Sequence, residues 1–167
     1  MHQDYKDLLS AFHAHGVKYL IVGGYAVIFH AQPRFTKDID LFIKSDAANT
    51  RAVHAALADF GAPLQDILPE DFADRNSFFR FGSDPRGVDI LPDIQGVDFD
   101  TAWERRVEQV IDAASELKAY FISADDLIAA KLATGRPQDI ADVAAIRDAA
   151  KIRDRHTRDK APGSDTD

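Results

Sequence analysis

At 167 residues, with 46% apolar and 29% charged side chains, the chain suits one globular domain and is too short for two ordinary ones. It has no cysteine, which excludes disulfides, thiolate zinc sites and cysteine nucleophiles. A net charge of -8 argues against a dedicated nucleic-acid binder, whose affinity rests on Lys and Arg, but leaves a nucleotide substrate open.

The first residues lack the basic-then-apolar pattern of a signal peptide, and no apolar run approaches the roughly 20 residues of a membrane span. A cytoplasmic protein without membrane contact is expected. Asp4 to His15 carries Tyr5, Leu8, Leu9 and Phe12 at helical spacing, with Gly16 at its C-terminal end. Tyr19 to Val22 reads as a buried strand running into Gly23-Gly24, where glycine permits a sharp turn and free backbone N–H groups suit an anionic phosphate. Tyr25 to Ala31 reads as a short helix stopped by Pro33. A second strand, Asp38 to Ile43, opens on Asp38-Ile39-Asp40, and alternation puts both carboxylates on one face.

Ser45 or Asp46 can cap a helix to Phe60, with Gly61 after it. Ala62 to Asn76 is loop-like, though Pro69 can open a short helical turn. Phe78 to Gly82 and Val88 to Leu91 read as strands joined through turn residues Asp84-Pro85 and Gly87, so Asp89 can lie beside the strand of Asp38 and Asp40. A helix from Phe99 to Arg106 surrounds Trp103, and Val107 to Ile111 and Leu117 to Phe121 are expected as edge strands. Ser123 caps a helix to Thr134, with Asp126 as the acid of a capping box; Gly135 ends it and Pro137 starts another to Ala150. Residues 1–150 then form the domain. The charged stretch 151–167, nearly free of apolar residues, is expected to be disordered.

Two carboxylates about 5 Å apart repel by roughly 3 kcal/mol at an effective dielectric near 20, so a proton, a base or a cation belongs between them. A hard divalent ion takes oxygen ligands and completes its shell with waters and substrate phosphates. With the glycine turn, the pair describes a metal-nucleotide site. The plain structural alternative has Asp38 capping a turn, Asp40 solvated and Asp89 paired with an arginine. Arg34 can grip a phosphate or join a surface pair, as can Lys37 beside it; Thr36 can bond a phosphate oxygen or support the turn. The six histidines form no H-x-x-x-H or H-E-x-x-H pair, which argues against a zinc hydrolase, and a G-x-S-x-G serine-hydrolase elbow is absent as well.

Gly23-Gly24, Asp38-Ile39-Asp40, Gly87-Val88-Asp89-Ile90-Leu91 and the segments Asp125 to Ala133 and Gly135 to Asp142 occur in that order. Together they resemble the polymerase-beta-like nucleotidyltransferase superfamily, and in particular its small stand-alone, toxin-type members of the abortive-infection class. The resemblance spans roughly residues 17–146 and also takes in Arg34 and Thr36. It implies an α/β (α+β) fold: a small mixed sheet bearing the three aspartates, helices on one face, and a C-terminal helical pair closing the cleft. It implies transfer of a nucleotide from an NTP to an acceptor hydroxyl on RNA, protein or a small molecule, with Mg2+ or Mn2+ held by Asp38, Asp40 and Asp89. Asp89 would also accept the hydroxyl proton.

By the same resemblance Gly23, Gly24, Arg34, Thr36 and Lys131 contact the nucleotide and Asp139 helps orient the site. Without it, Lys131 would snorkel to water and Asp139 and Asp142 would be first-turn helix acids. Toxin-type members pair with an antitoxin, so a partner protein is expected too. Two competing readings are a non-catalytic nucleotide-binding or partner module of the same fold, and a metal-dependent phosphohydrolase. The transferase reading requires the three aspartates to share one pocket beside Gly23-Gly24, with Asp89 free of a buried arginine pair.

Overall fold

The computed structural model describes residues 1–160. In chain order the elements are α1 (Gln3–Ala14), β1 (Tyr19–Val22), α2 (Gly23–His30), β2 (Ile39–Ile43), α3 (Ala47–Phe60), a 3-10 turn (Pro69–Ala73), β3 (Phe79–Phe81) and β4 (Val88–Leu91). There follow α4 (Phe99–Glu104), β5 (Val107–Asp112), β6 (Leu117–Phe121), α5 (Ala124–Thr134) and α6 (Pro137–Asp159). The strands form one mixed sheet in the order β3-β4-β2-β1-β6-β5. β1 runs antiparallel to β2 and parallel to β6, while β2 and β4 are parallel.

All four residues of β1 are buried, which fits a central strand covered on both sides. Tyr19 and Ile21 join Ile39, Leu41 and Ile43 in a core with α1 and α3. Leu20, Val22 and Phe42 point the opposite way, into a second core with Ala26, Val27, Leu127 and Ile146. Because strand side chains alternate, these clusters lie on opposite faces. Helices therefore cover both faces, where the sequence suggested one. β6 is also not an edge strand: it is inserted between β1 and β5, and β3 and β5 form the two edges.

Local signals act where expected. Asp46 caps α3 by accepting from Asn49 N at 2.8 Å, and Gly61 ends it in the left-handed conformation. Ser123 caps α5 by accepting from Asp126 N at 3.1 Å.

The expected disorder from Lys151 onward is corrected as far as the description reaches. α6 continues to Asp159, nine residues beyond the expected end at Ala150, while residues 161–167 lie outside the described part. The extension is solvent-exposed, so burial does not hold it. Arg and Lys favour helix intrinsically, and Arg153 Nη1 donates to the His30 carbonyl at 2.8 Å, tying the extension to the end of α2.

Candidate active site

The register of β2 and β4 decides where the acids meet. Asp40 pairs with Asp89 across the parallel ladder, so both side chains leave the same face, which is also the Phe42 face. Asp38, two residues before Asp40, precedes the strand and lines the same cleft. The cleft encloses about 610 Å³ and runs from this acidic face to Lys131 on α5 and Asp139 and Asp142 on α6.

Three glycines make room for two of these acids and for Thr36. A Cβ on Gly23 would collide with Asp40 Oδ2, and one on Gly87 with Asp38 Oδ1. A Cβ on Gly24 would sit 2.5 Å from Thr36 Oγ1 and 3.2 Å from Arg34 Nη2. Gly23 also has φ +63°, a conformation that costs an L side chain. The glycine pair opens α2 itself rather than preceding it, since the helix begins at Gly23.

Electrostatics on the acidic face are unbalanced. Burial, then the neighbouring Asp89 and Asp38 charges, push the Asp40 carboxyl up to about 7, with Lys131 pulling weakly the other way. The remaining compensation comes from a residue that sequence reasoning missed. Arg80 lies opposite Asp89 in the antiparallel β3–β4 pair; its Nε and Nη2 donate to Asp89 Oδ1 and Oδ2, each at 2.6 Å, and Nη2 is 3.7 Å from Asp38 Oδ2. The arginine pairing of Asp89 foreseen as the plain alternative is thus present. It is not a buried pair, however, because the Arg80 side chain is 59% exposed against 8% for Asp89.

The opposite wall is basic and tied down. Lys131 is buried, with Nζ 2.8 Å from Asp142 Oδ2 and 3.4 Å from Asp139 Oδ1, so it does not snorkel. Arg34 Nη1 donates to Asp142 Oδ1 at 2.7 Å. Asp139 accepts from Arg136 Nε at 2.8 Å and Thr134 Oγ1 at 2.9 Å, and the Arg136 bond leads in holding its carboxyl well below the usual range. Asp142 Oδ2 lacks a well-angled hydrogen bond, but its charge is met by Lys131 at ion-pair distance. Arg34 Nε is a buried donor with no partner. Thr36 Oγ1 donates to the Asp38 carbonyl at 3.4 Å, while Lys37 turns outward to Asp84.

Tyr5 on α1 fixes the rim, its hydroxyl placed at 2.8 Å from the Lys37 carbonyl and 3.0 Å from that of Gly87, the two residues flanking Asp38 in space. The helical spacing marked Tyr5 as core, and nothing in the sequence marked its hydroxyl. The FRF alternation of β3 did signal that Arg80 faces away from the Phe79 and Phe81 core side, though not that Asp89 stands opposite.

A family model described as "Nucleotidyltransferase of unknown function (DUF6036)" matches residues 3–152. The chain belongs to this nucleotidyltransferase family. No curated protein matches it. The mixed six-stranded sheet with flanking helices is consistent with a nucleotidyltransferase-like α+β fold. Among the described residues no helix is long and apolar enough to cross a membrane.

The donor set of the nucleotidyltransferase cleft fits a hard divalent cation and a phosphate chain. Asp38, Asp40 and Asp89 present only carboxylate oxygens, and burial with the crowding of like charges raises the Asp40 pKa, so a cation there would relieve the repulsion. Opposite them, the spare Arg34 N–H suits a phosphate oxygen. Among the described residues no three acidic or histidine groups already close around one point.

Proposed function

We propose that the protein is a cytoplasmic, metal-dependent nucleotidyltransferase that moves a nucleotide from an NTP to an acceptor hydroxyl, using Mg2+ or Mn2+. The observation that carries this reading is the placement of Asp38, Asp40 and Asp89 on one wall of a cleft whose other wall holds Lys131 and Arg34. The three aspartates would hold the ion, which when bound supplies charge neutralisation on the phosphates and a lowered pKa for the attacking hydroxyl.

The chain's own residues supply the remainder. Lys131 and Arg34, held by Asp142 and Asp139, grip the triphosphate, and N–H groups at the start of α2 by Gly23 and Gly24 add neutral donors with the helix dipole behind them. Thr36 borders the same path. The acceptor oxygen bonds to the α-phosphorus as the bond to pyrophosphate breaks, and the hydroxyl proton passes to Asp89, directly or through water. Cations pre-positioned by the carboxylates of α6 accelerate such a step by holding charge where it develops.

The test is incubation with labelled NTPs, Mg2+ or Mn2+, and acceptors of three classes: RNA, protein and small molecules. Label should reach an acceptor with the wild type and not with Asp40→Ala. Phosphate or pyrophosphate release without a labelled acceptor would indicate a phosphohydrolase instead. The likeness to toxin-type members supports a growth-inhibiting role countered by an antitoxin protein; growth arrest on induced expression, relieved by a neighbouring gene product, tests that extension.

The Arg80–Asp89 pair favours a second reading, a nucleotide-binding module without turnover. Unlabelled acceptors throughout, with NTP binding unaltered by Asp40→Ala, would select it.

A further inference from the structure

Arg80 occupies the carboxylate oxygens that the reading above assigns to a cation. Its two N–H bonds to Asp89 are short and parallel, and its second carboxylate contact, to Asp38, spans the acidic face. A bound divalent ion and this guanidinium would repel each other across the same oxygens. Asp89 is held by the β4 ladder and nearly buried, whereas Arg80 sits on a three-residue edge strand with most of its side chain in solvent. The partner free to leave is therefore the arginine. It also has somewhere to go: the exposed Phe78 ring lies 6.0 Å from the guanidinium carbon, and the cleft beside it is where phosphates would lie.

We infer that Arg80 is an internal counter-ion that shuts the acidic face to a bare divalent cation and transfers its grip to the NTP phosphates when cation and nucleotide enter together. This rests on the metal-nucleotide reading of the cleft and gives that site a loading order. The NTP supplies the anion that draws Arg80 off Asp89, so nucleotide and cation each strengthen the binding of the other. Metal alone is a poor ligand, and the resting site stays neutralised without one.

The experiment measures Mn2+ binding by the loss of the free-ion electron paramagnetic resonance signal, with and without a non-hydrolysable NTP analogue. Arg80→Gln should bind Mn2+ about tenfold or more tightly than the wild type when nucleotide is absent. It should also lose most of the gain in Mn2+ affinity that the analogue gives the wild type. Arg80→Lys, which keeps the charge but not the two-pronged contact, should fall between them and serves if the Gln variant does not melt cooperatively. Variants that bind Mn2+ no better than wild type overturn the inference. Turnover is not read, so absence of label transfer would sink the transferase reading while leaving this result standing. With the analogue present, Asp40→Asn binding Mn2+ as well as wild type would show instead that the ion does not sit at these carboxylates, which overturns both.

Discussion

Asp40 and Asp89 stand side by side on adjacent parallel strands, within hydrogen-bonding reach of each other, and Asp40 keeps its proton to about pH 7. The folded protein thus holds a proton that the unfolded chain gives up near pH 3.8. With a folded pKa raised above the unfolded one, the stability contribution is fully present below 3.8 and is lost as pH rises through about 7.

Asp40→Asn should therefore flatten the pH dependence of stability and make the metal-free protein more stable at pH 8, by on the order of 2–4 kcal/mol. Urea unfolding at pH 5 and pH 8 in the presence of a chelator measures it. Parallel pH dependences for variant and wild type would mean that Asp40 ionises normally.

Gly23→Ala should be worse than its backbone alone explains. Gly23 and Gly16 share nearly the same positive φ, +63° and +65°, but a Cβ on Gly16 meets nothing within 4 Å. Gly16→Ala should cost about 1–2 kcal/mol from conformation, and Gly23→Ala about 1–3 kcal/mol more because Asp40 must move. Denaturation of the two variants side by side isolates the collision, and equal losses would remove it.

Lys131→Ala should destabilise the fold by about 2–4 kcal/mol, since it strips a cation from two buried carboxylates that keep only Arg34 and Arg136. The same variant should weaken binding of an NTP analogue. Lys131→Arg should recover part of the stability; if alanine and wild type unfold together, the wall of the cleft is not held this way.

Tyr5→Phe removes the hydroxyl that bridges the Lys37 and Gly87 carbonyls and should cost about 1–2 kcal/mol. For a chain of this size that is a melting temperature lowered by roughly 2–8 °C. A calorimetric scan is enough, and an unshifted midpoint would count against the bridge.

Elements with strong local signals were legible. The β1 run, the Asp46 and Ser123 caps and Gly61 fixed helices and strands to within a residue or two, because the forces involved act within one turn. The nearness of Asp89 to Asp40 followed from alternation together with the family resemblance. What lay beyond reach was set by partners far apart in sequence. Arg80 could be assigned a face but not the register that puts it on Asp89, and Lys131 was expected in the cleft only through the family resemblance, since its helix alone gave no sign of the Asp139 and Asp142 carboxylates that hold it. The helix past Ala150 was missed because exposed polar sequence reads alike in a solvated helix and in coil.

The Arg34–Asp142 ion pair joins positions 108 residues apart, and Lys131 depends on the same carboxylate. A growing polypeptide still lacking α6 can assemble the acidic strands yet has nothing to steady the cations facing them. Whatever chemistry the protein performs is thereby withheld until α6 has left the ribosome, so translation products truncated before Pro137 ought to be inert.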